Sequence, residues 1–204
     1  MSDTRVFMGA IGAGLAAIGV AWFIYGQSTQ SALAAEDGPG PNLVIEVAGE
    51  ANGTVVIDLL PDRAPKHVAQ ITELARTGAY NNVVFHRVID GFMAQTGDVK
   101  YGKLGGDLSL AGSGASDLPD IPAEFSDVPF MRGVVGMARS NKPDSANSQF
   151  FIMFAPGEFL NGQYTVVGHV VSGMEVVDKI KKGDPDANGA VVDPDRMVSV
   201  KVQE

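Results

Sequence analysis

VVFHRVIDGFMAQTGD, running from Val83 to Asp98, sets His86, Arg87 and Gln95 into a stretch whose remaining residues read as buried strand. Long polar side chains are costly to bury unless something specific needs them. The stretch contains no serine or cysteine that could act as a nucleophile. The question it raises is what reaction would use an arginine on an apolar wall with no obvious nucleophile beside it.

Outward from it, the chain reads as short strands. Val83–Ile89 is β-branched and ends at Asp90-Gly91, a turn dipeptide. Upstream, NLVIEVA (42–48) and TVVIDLL (54–60) form a hairpin pattern with Asn52-Gly53 in the turn. Asn52-Gly-Thr54 is also a glycosylation sequon, but the turn accounts for it. Downstream, strands are predicted at Val134–Ala138, Phe150–Phe154, Tyr164–Val171 and Met197–Val202. Two segments have helical spacing instead: Val68, Ile71, Leu74 and Ala75 within Pro65–Thr77, closed by Gly78, and Met174, Val177 and Ile180 within Met174–Lys182, closed by Gly183. Strands with two isolated helices, rather than alternating βαβ units, predict a mainly β domain, a barrel or sandwich capped by helices.

The chain has 204 residues, a net charge of −9 and no cysteine. That length suits one domain plus an appendage. The acidic balance lacks the basic footprint that phosphate binding requires, so no nucleic-acid partner is expected. The absence of cysteine excludes disulfides, thiol catalysis and cysteine metal sites.

The appendage is amino-terminal. After Met1-Ser-Asp-Thr-Arg5 the chain is uncharged from Val6 to Tyr25, followed by GQSTQSALAAEDGPGPN. As a hydrophobic helix, about 20 residues could just cross a bilayer core of roughly 30 Å, with Trp22, Phe23 and Tyr25 in the interfacial belt. Ala32-Leu33-Ala34, however, is a small-x-small site of the kind a signal peptidase reads, and four glycines weaken the run as a span. Residues 1–35 are thus expected to be a signal peptide or a membrane anchor, with any membrane contact confined to residues 6–25. Arg5 is the only basic side chain before Arg63, so both readings put the main domain on the exported side of a bacterial inner membrane, in the cell envelope, either periplasmic or membrane-anchored. EDGPGP (36–41) is a short acidic linker, and the domain spans 42–204.

Other chemical patterns fail on context. Gly97–Lys103 matches phosphate-loop spacing, but Leu104 stands where the magnesium-binding Ser or Thr belongs, and Gly105-Gly106 follow where a helix should start. The glycine-rich Gly102–Gly114 reads as a surface loop. His67, His86 and His169 lack metal-ligand spacing, so no metal and no cofactor are expected. Ser145 and Ser148 lack a nucleophile elbow.

What remains is FHRVIDGFMAQTGD together with SANSQFFI and EFLNGQYTVVGHV. This combination resembles the cyclophilins, the peptidyl-prolyl isomerases, from about Asn42 to Val202. The resemblance implies a closed antiparallel eight-stranded barrel with two capping helices, acting on proline-containing polypeptides. It places Arg87 at the catalytic arginine, and Phe92, Met93, Phe151 and Leu160 in a hydrophobic proline pocket. Gln95 falls beside that pocket, Ala138 and Gln149 on the neighbouring peptide subsite, and His86 on a further site residue. Phe159 and Tyr164 stand where the best-known eukaryotic members carry tryptophan and histidine, and the loop 139–147 is one residue longer, a pattern similar to bacterial cyclophilins. Without the tryptophan indole donor, the resemblance leaves cyclosporin sensitivity open.

The reaction explains the missing nucleophile. Rotation about an X–Pro bond breaks amide resonance against about 18–20 kcal/mol, and no covalent bond is made. As the bond twists, the prolyl nitrogen regains a lone pair, which a preplaced cationic donor stabilises more than it does the planar amide. The alternative is a noncatalytic proline-binding or holdase module of the envelope. Arg87 favours the enzyme.

Overall fold

The computed structural model describes residues 36–204. The hydrophobic helix and cleavage site expected within 1–35 lie outside the described residues. Among the described residues, no helix is long and apolar enough to cross a membrane.

The domain is mainly β, a curled antiparallel sheet of nine strands with two helices. The strands are β1 (Asn42–Ala48), β2 (Gly53–Leu59), β3 (Val83–Val84), β4 (Arg87–Ile89), β5 (Met93–Thr96), β6 (Val134–Met137), β7 (Phe150–Met153), β8 (Val166–Ser172) and β9 (Arg196–Gln203). The helices are α1 (Pro65–Arg76) and α2 (Met174–Lys179). The strand order is β3-β9-β1-β2-β8-β6-β7-β5-β4. The β1–β2 hairpin turns at Gly49–Asn52 as expected, with Asn52 Nδ2 donating to Gly49 O at 2.8 Å.

Two expectations need adjustment. Val83–Ile89 is not one strand but two, because the backbone at Phe85 and His86 bonds to loops: Phe85 N donates to Asp195 O, and His86 O accepts from Val191 N. Since β3 and β4 are the two edges of the sheet, its ends meet within these two residues. Met93–Thr96, which the sequence reading left undelimited within the strand-like stretch Val83–Asp98, forms a strand of its own beyond the Asp90-Gly91 turn. It pairs with β4 on one side and β7 on the other.

Alternation along β7 divides the apolar interior in two. Phe150 points into the main core, edge-on to Tyr80 at 5.7 Å, amid Leu43, Ile57, Ile71 and Phe85. Phe151, on the opposite face, joins a second cluster with Met93, Phe130, Val134, Met153, Leu160 and Val166. Helix α1 covers the main core with Val68, Ile71, Leu74 and Ala75. Its first turn lacks a local side-chain cap. The Glu124 carboxylate, from a distant loop, serves instead, accepting from Lys66 N and His67 N at 3.1 Å each and from His67 Nδ1 at 2.6 Å. The stretch expected to be a linker runs against β2: Gly38 N donates to Asp58 Oδ2 and Leu59 N to Pro41 O.

Candidate active site

Register places the site. Arg87 on β4 pairs with Gln95 on β5, Gln95 with Phe151 on β7, and Phe151 with Gly136 on β6, so one row crosses four strands. Ile89, Met93 and Met153 form the adjacent row. Residues in register on one face of a sheet have neighbouring side chains, so a cationic head, an amide and an apolar floor lie side by side.

The end of the first row depends on a missing side chain. A Cβ at Gly136 would lie 2.5 Å from Phe151 Cζ and 2.6 Å from Phe130 Cε1. Glycine thus lets the Phe130 and Phe151 rings stack at 5.8 Å with 20° between their planes. This stack fixes the pocket floor, with Tyr164 edge-on to Phe151 at 5.9 Å.

A cavity of about 280 Å³ opens over it, lined by Arg87, Phe92, Met93, Gln95, Ala138, Arg139, Phe151, Phe159, Leu160 and Tyr164. Nine of these were expected from the sequence. Phe159 lies on its rim, 70% exposed, with its ring 5.5 Å from that of Phe92. Leu160 is buried at the end of a 3-10 turn, Glu158–Leu160.

Gln149 lies outside this cavity but touches its wall. It lines a neighbouring cavity of about 380 Å³ together with Gln95, Ala138 and the loop Gly112–Ala115. Gln95 Nε2 donates to Gln149 Oε1 at 3.0 Å, and Gln149 Nε2 donates to Gly112 O and Gly114 O at 3.0 and 2.8 Å. The glycine-rich stretch expected to be a plain surface loop is in fact pinned. Buried Asp98 accepts from Gly112 N and Gly114 N, at 2.7 and 2.8 Å.

His86 also stands apart from the 280 Å³ cavity. It lines a third space of about 340 Å³, with Arg87, Gln95, Gly112 and Asn188, and lies against Gly112. Burial pushes its imidazole pKa down, with Asp98 acting in the opposite sense.

Arg87 is itself held in position. Its Nη1 donates to Gln95 Oε1 at 3.2 Å, its Nε to Asn188 O at 3.1 Å and its Nη2 to Asn188 Oδ1 at 3.1 Å. Burial lowers its pKa, and Tyr164 acts against that. A guanidinium keeps its charge under such conditions, which lysine would not do as reliably.

The sequence reading missed Arg139, Phe130, Gly136 and Asn188. Arg139 stacks over the Tyr164 ring at 4.4 Å and lines the cavity. Asn188-Gly189, a turn dipeptide, was the one legible signal among them. The phosphate-loop-like lysine, Lys103, donates to the carbonyls of Ala79 and Asn81, which occupies its ammonium group. Among the described residues, no cluster of His, Asp and Glu is disposed to hold a metal ion.

Comparison with known proteins agrees with this geometry. The family model for cyclophilin-type peptidyl-prolyl cis-trans isomerases matches residues 43–202. A probable peptidyl-prolyl cis-trans isomerase of Brucella suis is 64% identical over 154 residues, covering 74% of this chain and 79% of that one. Peptidyl-prolyl cis-trans isomerase-like 1 of Aspergillus fumigatus is 36% identical, covering 74% and 91%. In structure, a cyclophilin from Hirschia baltica superposes with a TM-score of 0.63 at 28% identity, covering 78% of this chain and 72% of that one. A Cryptosporidium parvum cyclophilin-type isomerase, crystallised in the presence of the dipeptide Ala-Pro, shares the fold with a TM-score of 0.67 at 23% identity, covering 80% and 99%. The chain belongs to the cyclophilin-type peptidyl-prolyl cis-trans isomerases.

Proposed function

We propose that the chain catalyses rotation about X–Pro bonds in exported polypeptides, with Arg87 as the catalytic residue and the 280 Å³ cavity as the proline pocket. The observation that carries this reading is a guanidinium fixed at the edge of an apolar cavity. Phe92, Met93, Phe151 and Leu160 would hold the ring, while Phe159 and Tyr164 close its rim. Gln95 would sit beside it, and Ala138 and Gln149 would take the residues preceding proline. His86 would line the adjoining 340 Å³ space that it shares with Arg87.

The energetics fit a divided task. A charge-assisted hydrogen bond contributes about 1.5–3 kcal/mol, roughly a ten- to hundredfold rate effect. Arg87 would supply that part as the prolyl nitrogen regains its lone pair. The pocket would supply the rest by holding the ring while the chain turns and by excluding the water that favours the planar amide.

We further read the curled sheet as a closed eight-stranded barrel, β3 and β4 being one strand interrupted at Phe85 and His86. Residues 1–35 would be a signal peptide or anchor, 36–41 a linker and 42–204 the isomerase domain. The uncharged run Val6–Tyr25, with Arg5 before it, supports placement on the exported side of the inner membrane.

Two measurements test this. The purified full chain should accelerate cis/trans exchange in an Ala-Pro peptide. Binding without acceleration would leave a holdase. For the leader, Trp22 is the only tryptophan, so intact mass and emission of envelope-purified protein decide between the two forms. A tryptophan-free species beginning near Ala35 excludes the anchor. Recovery from the soluble cytoplasm overturns export.

A further inference from the structure

Arg87 has five N–H donors in a planar fork, and four have an acceptor within the domain. Nε and Nη2, which lie on one edge of the guanidinium, both donate to Asn188, one to its backbone carbonyl and one to its side-chain oxygen. Nη1 gives one donor to Gln95 at 3.2 Å and the other, more weakly, to the Met93 sulfur at 3.8 Å. One N–H, on Nη2, stays uncommitted, and the long contact to the Met93 sulfur leaves the second Nη1 donor to a stronger acceptor in the proline cavity that Arg87 and Met93 both line. A residue that takes a whole edge of the fork in two bonds determines where the opposite edge points.

Asn188 is placed for this by its backbone. It follows a 3-10 turn, Pro185–Ala187, and adopts the left-handed conformation, with φ 55° and ψ 33°, that asparagine and glycine tolerate best. Gly189, also left-handed, packs so tightly on β4 that a Cβ there would lie 2.5 Å from Ile89 Cγ1. The loop is stitched to β4 from both sides: Val88 N donates to Gly189 O, and Gly183 N donates to Val88 O. Within the loop, Gly189 N donates to Asp184 O, and Asp184 N to Ala190 O. The acceptors therefore arrive on a fixed frame.

We infer that Asn188 is a positioning residue of the isomerisation, clamping one edge of the Arg87 guanidinium so that the opposite edge is aimed at the prolyl nitrogen before substrate arrives. This rests on Arg87 being the catalytic residue. Preorganised donors stabilise a developing lone pair without reorganising at the moment of reaction. An arginine free on that edge would spread over other rotamers. Its charge would remain while its aim was lost.

The test separates aim from fold. Asn188→Gly keeps the left-handed backbone and the carbonyl that accepts from Nε, and removes the side chain whose Oδ1 accepts from Nη2. Asn188→Asp keeps an oxygen at that position. In the full chain, with an Ala-Pro peptide followed by exchange NMR, Asn188→Gly should lower kcat by roughly 5- to 30-fold, within the about hundredfold that an ångström of misplacement costs. KM and the denaturation midpoint should hardly move, and Asn188→Asp should recover most of the rate. In an Arg87→Ala background, Asn188→Gly should have no further effect, since effects of residues acting as a unit are non-additive. A wild-type kcat in Asn188→Gly, or an equal loss in both backgrounds, overturns the inference. An Arg87→Ala enzyme as fast as wild type would instead overturn the assignment of Arg87 on which it rests.

Discussion

Gln95 stands directly opposite Arg87 in the β4–β5 ladder, and its Oε1 accepts from Nη1 at 3.2 Å. Arginine has donors only, so it dictates which end of the Gln95 amide faces it. Gln95 Nε2 is then turned toward Gln149 Oε1, and Gln149 Nε2 toward the carbonyls of Gly112 and Gly114. A single sense of hydrogen bonding runs from the arginine to the loop pinned by Asp98.

That sense makes a substitution at Gln149 informative. Gln149→Glu would face two carbonyls with a carboxylate and present no donor to them, so it should lower kcat/KM more than Gln149→Ala does. Steady-state isomerisation kinetics of the two variants check this. Equal losses would show that the amide's direction is unimportant.

Phe151 belongs to both the floor of the cavity and the second core cluster. Phe151→Ala should cost about 3–5 kcal/mol of stability, and the protein that remains folded should show a raised KM. Denaturant unfolding combined with kinetics measures both. A loss under about 1 kcal/mol would mean that the Phe130–Phe151 stack is not what supports the pocket.

Acid should destabilise the domain through His67 and Glu124. Burial pulls the His67 imidazole pKa below 6.5, with the hydrogen bond to Glu124 opposing it. Burial alone would raise the Glu124 pKa, but hydrogen bonds from the His67 ring and from His67 N and Lys66 N outweigh it and leave it lowered. For both groups the unfolded chain binds more protons than the folded one, so stability rises with pH. It should therefore fall as pH drops from about 7 through the ordinary histidine range near 6.5, and further below about 4.3. His86, its pKa also lowered by burial, contributes in the same direction. In His67→Gln the loss between about pH 7 and 5 should shrink, and an unchanged slope would exclude His67 as a contributor.

Phe159 is the most exposed ring of the pocket and rests on Phe92. Phe159→Trp should fit there without repacking and restore an indole donor at the rim. Cyclosporin affinity should rise, by calorimetry, with turnover nearly unchanged. No gain would assign inhibitor selectivity to Tyr164 or to the loop 139–147.

The fold and the pocket were legible to different degrees. β1, β2, β6, β7, β9 and α1 follow from period and turn residues, because each is a continuous run with one buried face or two. β5 was legible only as part of the strand-like stretch Val83–Asp98, its bounds blurred by Gln95 in the middle of Met93–Thr96. The break at Phe85-His86 is set by Asp195 and Val191, distant in sequence, and no local pattern records it. Within the site, nine of the motif residues line one cavity, whereas His86 and Gln149 line neighbouring spaces. Arg139 and Asn188 come from loops whose positions depend on long-range backbone hydrogen bonds. Gly136 is meaningful only once Phe130 is known to lie above it.

The central claim is that the Arg87 guanidinium, presented to an apolar proline pocket, drives the rotation. The direct measurement is the cis/trans exchange rate of an Ala-Pro peptide with the full chain, compared among wild type, Arg87→Ala and Arg87→Lys. Arg87→Ala should be about 10- to 100-fold slower, with peptide binding and the unfolding midpoint nearly intact, and Arg87→Lys should recover little because a point charge lacks the fork. A wild-type rate in Arg87→Ala would contradict the account.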